Sequence, residues 1–279
     1  MGARASGAIL TSIPCWFSTD WPSPGSSPEL LRLSHYGDLP RFIRDVQWGL
    51  QDPLPWFPVC VDFVRRHIAP EVLWSDIYQD LAWHVLENTG TYLRTYFAVG
   101  EEEKLVLTVF LPVDDSFDLG LDPGPHIAKV ASSRPVGGGR IVRTGAEARE
   151  HARSMSLAVR AAGGQGVAGH AFVRQCAVEV LDNGQGINWE FSRAMEVEWD
   201  RESDSTPRDW RSILALPVLD TPSWVPIAVI VLTSNRPDPI WRRLEPQQDL
   251  AELKAMLRRT ARSLVVDLPG RISGGAATP

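Results

Sequence analysis

The sequence predicts an α+β fold in which a mostly antiparallel central sheet of five or six strands is flanked by helices, and three observations lead there. Two runs rich in Val, Ile and Leu, SILALPVLD at 212–220 and WVPIAVIVLTS at 224–234, are separated by little more than TPS, the signature of a hairpin. A third run, KLVLTVFLPVDD at 104–115, is apolar on consecutive positions until it meets an acidic turn, and HIAKVASS at 126–133 follows as its antiparallel partner. Only HAFVRQ separates the last glycine of GGQGVAG (163–169) from the alternating run CAVEVLD (176–182), whereas a crossover between parallel strands takes about a dozen residues or more.

The other elements follow in chain order. STDWPSPGSSP at 18–28 is dense in Ser, Pro and Gly and reads as a loop, so 1–28 is expected to be a flexible segment. Two helical patterns, ELLRLSHYGDLPRFIRDVQWGL and FPVCVDFVRRHI, are broken by DPLPWFP and define a helical extension over 29–70. In EVLWSDIYQDLAWHVLEN (71–88), Trp74, Ile77, Leu81 and Val85 recur at helical spacing, and this stripe is expected to face the core. GAEAREHARSMSLAVRAA (145–162) is rich in strong helix formers and stops at a glycine pair, so the whole segment predicts a helix. Residues 183–209 are polar, and their run EVEWDRESDSTPRD reads as solvated loop. PQQDLAELKAMLRRTARSLVVDL (246–268) opens on proline and repeats Leu250, Leu253, Leu257 and Leu264 as an amphipathic helix. The tail 269–279 is expected to be disordered.

Composition bounds the function. The chain has 279 residues, 44% of them apolar, enough for a substantial core. A net charge of −6 argues against a nucleic-acid partner, which calls for a basic surface. Cys15, Cys60 and Cys176 are odd in number and far apart, without a C-x-x-C pair, so a reducing, cytoplasmic setting is expected. The apolar stretch GAILTSIPCWF (7–17) is too short to span a bilayer, and no transmembrane segment is predicted. Met1-Gly2-Ala3-Arg4-Ala5-Ser6 fits the loose M-G-x-x-x-[ST] pattern of N-myristoylation, a match that arises often by chance.

Gly164-Gln165-Gly166-Val167-Ala168-Gly169 satisfies G-x-G-x-x-G, the pattern of a dinucleotide-binding turn. That fingerprint needs a strand before the glycines and a full crossover helix after them; AVRAA before them reads as helix, and the connection to CAVEVLD is too short. The glycines therefore predict a turn with positive φ that feeds a brief helix and then an antiparallel strand. GQGVAGHAFVRQCAVEV resembles the G-x-x-G-x-A segment of GAF domains, and SILALPVLD…WVPIAVIVLTSNRP is similar to their apolar hairpin. The resemblance runs over about 72–268, with the domain itself set at 71–268. Ala228 stands where that family usually has glycine, and the segments 134–162 and 183–209 are longer than in its compact members.

The resemblance implies a sensory module with a cavity between sheet and connecting segments, lined by 134–175, 183–210 and the start of the strand 212–219. Within it Arg140, after a glycine triplet at a helix start, offers a cation for an anion such as a cyclic nucleotide, although composition alone favours a flexible glycine loop. His170 and Phe172 follow the glycine turn, Trp189 and Trp210 flank the long loop, and Ser212 opens the strand; together these are the candidate ligand-binding residues. A lone histidine beside an apolar segment is otherwise a structural residue, and loop tryptophans otherwise pin the loop to the core. Asp114-Asp115 reads as a carboxylate pair or, more simply, as a turn at a strand end. No nucleophile-base pair or metal-ligand spacing is recognisable, so no catalytic residue and no metal site are expected, and the cofactor is unknown.

The expected function is thus a non-catalytic regulatory module that binds a nucleotide-like or planar small ligand. It would signal through a separate effector or partner protein, or through a homodimer formed by the terminal helices, where the leucine repeat lies close to heptad spacing. The alternative is a degenerate relative that binds protein and no small molecule.

Overall fold

A computed structural model describes residue 54 and residues 56–133, 145–160, 163–181, 210–244 and 247–269. Helix α1 spans Phe57–His67, α2 Pro70–Leu73 and α3 Asp76–Tyr96. Strand β1 (Leu105–Val113) leads through a single 3₁₀ turn to β2 (His126–Ser132). Then come α4 (Gly145–Ser154), β3 (Ser156–Arg160), the two-residue β4 (Gly163–Gly164), α5 (Gly166–Arg174) and β5 (Val178–Leu181). The hairpin β6 (Ser212–Leu219) and β7 (Pro226–Ser234) is followed by α6 (Ile240–Arg243) and α7 (Gln247–Arg262), whose last residues continue as a π-helical turn, Ser263–Asp267.

The strands form one sheet in the order β4-β3-β2-β1-β7-β6-β5, and every pairing is antiparallel. The fold class read from the sequence is therefore the one observed: six strands of four residues or more, a two-residue edge, and flanking helices. β1, β6 and β7 are buried along almost their whole length, as strands covered on both faces must be. On one face α3 lies against β1 and β2, and α7 beside it lies against β6 and β7. α5 touches β3 and β4 at one edge as well as β5, β6 and β7 at the other. A flat sheet would set those edges about 29 Å apart, at ~4.8 Å per strand, whereas a nine-residue helix is only about 13.5 Å long. The sheet must therefore curl around α5, which fills its concave side with Val167, Ala168, Ala171, Phe172 and Val173.

Three expectations need correction. Residues 145–162 are not one helix: it ends at Ser154, and SLAVR forms β3, pairing His126 with Ala158, Ile127 with Leu157 and Ala128 with Ser156. Helix propensity is a weak preference that a waiting sheet edge overrides. In α3 the core stripe is Tyr78, Ala82, Leu86 and Leu93, one residue on from the expected one; Trp74 is buried, but Ile77 and Leu81 are exposed and Val85 only half-buried. Tyr78 selects this rotation, being fully buried with its hydroxyl donating to the carbonyl of Leu264 at 2.9 Å. The leucines of α7 are not spare: Leu253, Leu257 and Leu264 are fully buried under their own sheet, and only Leu250 is partly exposed.

The described part of the N-terminal extension, from Leu54 and α1 onward, belongs to the same core. Phe57, Cys60, Val61 and Val64 are buried against the sheet, and the rings of Trp56 and Phe57 stand 5.4 and 6.2 Å from that of Phe172. Residues 1–53, 134–144 and 182–209 lie outside the described residues.

Candidate functional site

All three glycines of G-x-G-x-x-G have a structural reason. A Cβ on Gly164 would sit 2.2–2.4 Å from the backbone of Gly169, and one on Gly169 would sit 2.9 Å from that of Gly164. Gly166 has φ +58°. The turn folds flat onto the first turn of α5, fastened by Gln165 N–H donating to Ala158 O and Ala158 N–H donating to Gln165 Oε1, both at 2.7 Å. β3 before the glycines and β5 after α5 sit towards opposite edges of the sheet. The letters thus spell a close backbone crossing, and the neighbouring-strand geometry of a dinucleotide turn is absent among the described residues.

The candidate ligand residues separate. Phe172 is fully buried among Trp56 and Phe57. His170, on the same helix, is half-buried, and burial together with the charge of Arg174 pushes its imidazole down to about 4, so it is neutral at pH 7. Ser212 is fully buried, its hydroxyl donating to the carbonyl of Arg236 at 2.6 Å. Trp210 is half-buried just before β6. Arg140 and Trp189 lie outside the described residues. Asp114 is a turn residue: it accepts from Ser116 N–H at 3.0 Å and pairs with Arg65 of α1. Partial burial works to raise its carboxyl, but the bonds from Ser116 and Arg65 outweigh this and hold it below the usual carboxylate range.

Ser212 stands near a cleft among the described residues, at the end of the sheet where β6 begins and β7 ends. It encloses about 390 Å³ and is lined by Glu102, Arg211, Asn235, Arg236, Pro237 and Asp238. Backbone bonds build its floor: Arg211 N–H donates to Ser234 O at 2.8 Å, and Asn235 Oδ1 accepts from Lys104 N–H at 2.7 Å. Asn235 Nδ2 donates to Glu102 O at 3.1 Å, tying the residues before β1 to those after β7.

Next to Glu102 of the cleft in the chain stands Glu103, fully buried. Its Oε1 accepts from Ser234 Oγ at 2.8 Å and from Ile240 N–H at 3.0 Å, and its Oε2 pairs with Arg243. Arg94, near the end of α3, donates to the carbonyl of Glu103 at 2.6 Å. One carboxylate so joins β7, α6 and the segment leading from α3 to β1. Glu179 of β5 makes a second clamp, accepting from Trp241 Nε1 at 2.7 Å and from Arg242 Nε at 2.6 Å. A buried carboxylate persists only when paired and hydrogen-bonded, which Glu103 is on every side.

Sequence reasoning missed this cleft because its residues come from three separate stretches, GEEEK, WRS and SNRPDP. The one signal was Glu103 itself, an acid placed directly ahead of an entirely apolar strand. Chemically the cleft offers two guanidinium groups, suited to carboxylate or phosphate, beside two carboxylates and an amide. Among the described residues no cluster of His, Cys, Asp and Glu could hold a metal ion, and no helix is long and apolar enough to cross a membrane. Cys60 and Cys176 are both buried, and burial pushes the Cys60 thiol up.

The topology and the cleft define an α+β domain with a curled antiparallel sheet and a polar cleft at its open end. No family model and no curated protein matches the chain. Among solved structures it is similar to a type II free methionine-R-sulfoxide reductase from Thermoplasma acidophilum, with 13% identity over 67% of this chain and 94% of that one and a TM-score of 0.36. It is similar also to the GAF domain region of a protein from Geobacter sulfurreducens PCA, with 11% identity over 66% and 93% of the two chains and a TM-score of 0.37. A third is the nlh2 GAF domain of A. aeolicus in an inactive state, with 11% identity over 73% and 97% and a TM-score of 0.33. These likenesses are distant, and the fold class stands on the chain's own topology.

Proposed function

We propose that the chain is a non-catalytic regulatory module of GAF-like type, which takes a small ligand bearing carboxylate or phosphate in the cleft of Arg211 and Arg236. The observation that supports it is that the cleft residues Glu102 and Asn235 are chain neighbours of Glu103 and Ser234, and Glu103 is a buried carboxylate tied to β7 and α6 and, through its own backbone, to the end of α3. A ligand gripped by the two guanidinium groups would shift Asn235 and Arg236, and with them the Glu103 clamp and the seating of α3, where a partner protein could sense it. A nucleotide-like ligand fits the cation pair, with Trp210 adjoining Arg211 in the chain as a stacking surface. The test is a thermal-shift screen with cyclic AMP, cyclic GMP and succinate at millimolar concentration. One of them should raise the Tm, and the Arg211→Ala/Arg236→Ala double variant should lose that response while keeping its own Tm within about 2 °C, since both side chains are exposed. No response from any of the three overturns this reading.

A protein-binding module without a small ligand is the second reading, favoured by apolar side chains left uncovered on α3.

A further inference from the structure

Ion pairs are closed in several other parts of the domain: Arg65 with Asp114, Arg149 with Asp118, Arg242 with Glu179 and Arg243 with Glu103. The cleft of Arg211 and Arg236 departs from this. Glu102, Arg236 and Asp238 stand exposed in its wall, and among the described residues the side chains of these three make no hydrogen bond and no ion pair. Arg242 has its charge steadied first by the bond to Glu179 and, more distantly, by Asp238, and its guanidinium is already taken by Glu179. Opposite charges thus line one cleft of about 390 Å³ without closing on each other. Their stems are fixed by backbone bonds. Arg236 N–H donates to Ser234 Oγ at 3.1 Å and its carbonyl accepts from Ser212 Oγ at 2.6 Å, while Glu102 O accepts from Asn235 Nδ2 at 3.1 Å. Asn235, the one neutral polar side chain of the lining, uses its Oδ1 on Lys104 N–H as well, so a ligand entering the cleft meets the charges.

We infer that the cleft takes a zwitterion: a small molecule of amino-acid size that lays its carboxylate on Arg211 and Arg236 and its ammonium group between Glu102 and Asp238. The inference rests on the cleft being a ligand site, as proposed above, and narrows what enters it. Charge balance is the reason. Two guanidinium groups and two carboxylates cancel, so a plain anion drawn to the arginines is repelled by the acids, and a plain cation meets the reverse. A ligand with both charges gains on both sides, and the same four groups discriminate against ligands with one. The chemistry of each side matches. Guanidinium presents parallel N–H donors to a carboxylate, and an ammonium group has three donors to share between two carboxylates. Size agrees as well, since 390 Å³ stands at the small end of the ~300–1,000 Å³ of ligand sites, and Pro237 is the one apolar residue of the lining.

Calorimetric titration of the full chain with matched ligands tests this: L-aspartate against succinate, L-glutamate against glutarate, and γ-aminobutyrate against butyrate, each pair differing by one ammonium group. In at least one pair the amino member should bind about tenfold tighter, the gain expected of two charge contacts at an exposed site. Glu102→Gln/Asp238→Asn should bring that pair to within about twofold, by weakening the amino member and not its partner, and should keep its Tm within about 2 °C because both side chains are exposed. Should that variant fail to fold, the pairs are still read on the wild type, since they vary the ligand alone. Equal affinities within every pair, or tighter binding of the members without nitrogen, overturn the inference and leave the ligand site standing. So does butylamine binding as tightly as γ-aminobutyrate, because the carboxylate is then not recognised. A response to a cyclic nucleotide with none to the pairs also overturns the inference alone, whereas silence from every compound overturns the ligand site with it.

Discussion

Gly164→Ala puts the glycine argument at risk. Its new methyl would lie 2.2–2.4 Å from backbone atoms of Gly169, against ordinary carbon contacts of about 3.5–4.0 Å, and backbone cannot swing aside. Relief requires lifting the start of α5 from β3, which strains or breaks the two bonds between Gln165 and Ala158, about 1 kcal/mol each. Overpacking adds ~1–3 kcal/mol, so a loss of about 3–5 kcal/mol is expected. For a chain of this size that corresponds to a Tm drop of roughly 6–20 °C. Gly90→Ala is the internal control, because in the middle of α3 its Cβ would meet nothing within 4 Å. There helix propensity alone operates, and a gain of about 1 kcal/mol is expected. Urea unfolding of both variants followed by circular dichroism measures the difference. If Gly164→Ala unfolds within about 0.5 kcal/mol of the wild type, the close crossing does not explain the glycine, and if it keeps its stability but loses nucleotide binding, the phosphate-cradle reading returns.

Two further outcomes follow from the interior. Glu103→Gln removes the charge that Arg243 pairs with and one acceptor among Ser234, Ile240 and Arg243, so a loss of about 2–3 kcal/mol in urea is expected; a neutral result would mean that the buried carboxylate does not hold this end of the sheet together. His170 titrates near 4 in the folded chain against an ordinary 6.5, so above pH 6.5 both states are neutral there and its contribution is complete. Between pH 6.5 and about 4 the unfolded chain takes up the proton first, and stability should fall by up to ~3 kcal/mol. His170→Gln should flatten that part of the pH profile, and an unchanged slope would contradict the assignment.

Legibility in the sequence tracked how local the cause was. The hairpin of β6 and β7, the apolar β1 and its partner β2 follow from side-chain alternation and turns only a few residues long, and they stand where the pattern put them. The short spacing from the glycines to β5 also excluded a parallel crossover, whereas the other ground for that exclusion failed, since AVRAA, read as helix, begins inside β3. The rotation of α3 was not legible, because 77-81-85 and 78-82-86 are both apolar at helical spacing and period alone cannot choose between them. The choice fell to Tyr78, whose hydroxyl finds Leu264, a residue 186 positions away. Likewise SLAVR became a strand because the edge of β2 was open to it, against its own helical preference.

The candidate site shows the same division more sharply. Ser212, expected as a ligand-binding residue, has its hydroxyl occupied within the fold, and Phe172 turned inward because the curled sheet needs a filled centre. Arg211, Arg236, Glu102 and Asp238 meet only because antiparallel pairing brings the start of β6, the end of β7 and the approach to β1 to one end of the sheet. Sequence by itself determined which segments are strands or helices in most of the domain, since that depends on neighbours along the chain. Which face of each is buried, and which charges converge, was decided by contacts between residues distant in the chain, such as Tyr78 with Leu264 and Glu102 with Asn235, and no periodicity in the chain encodes those.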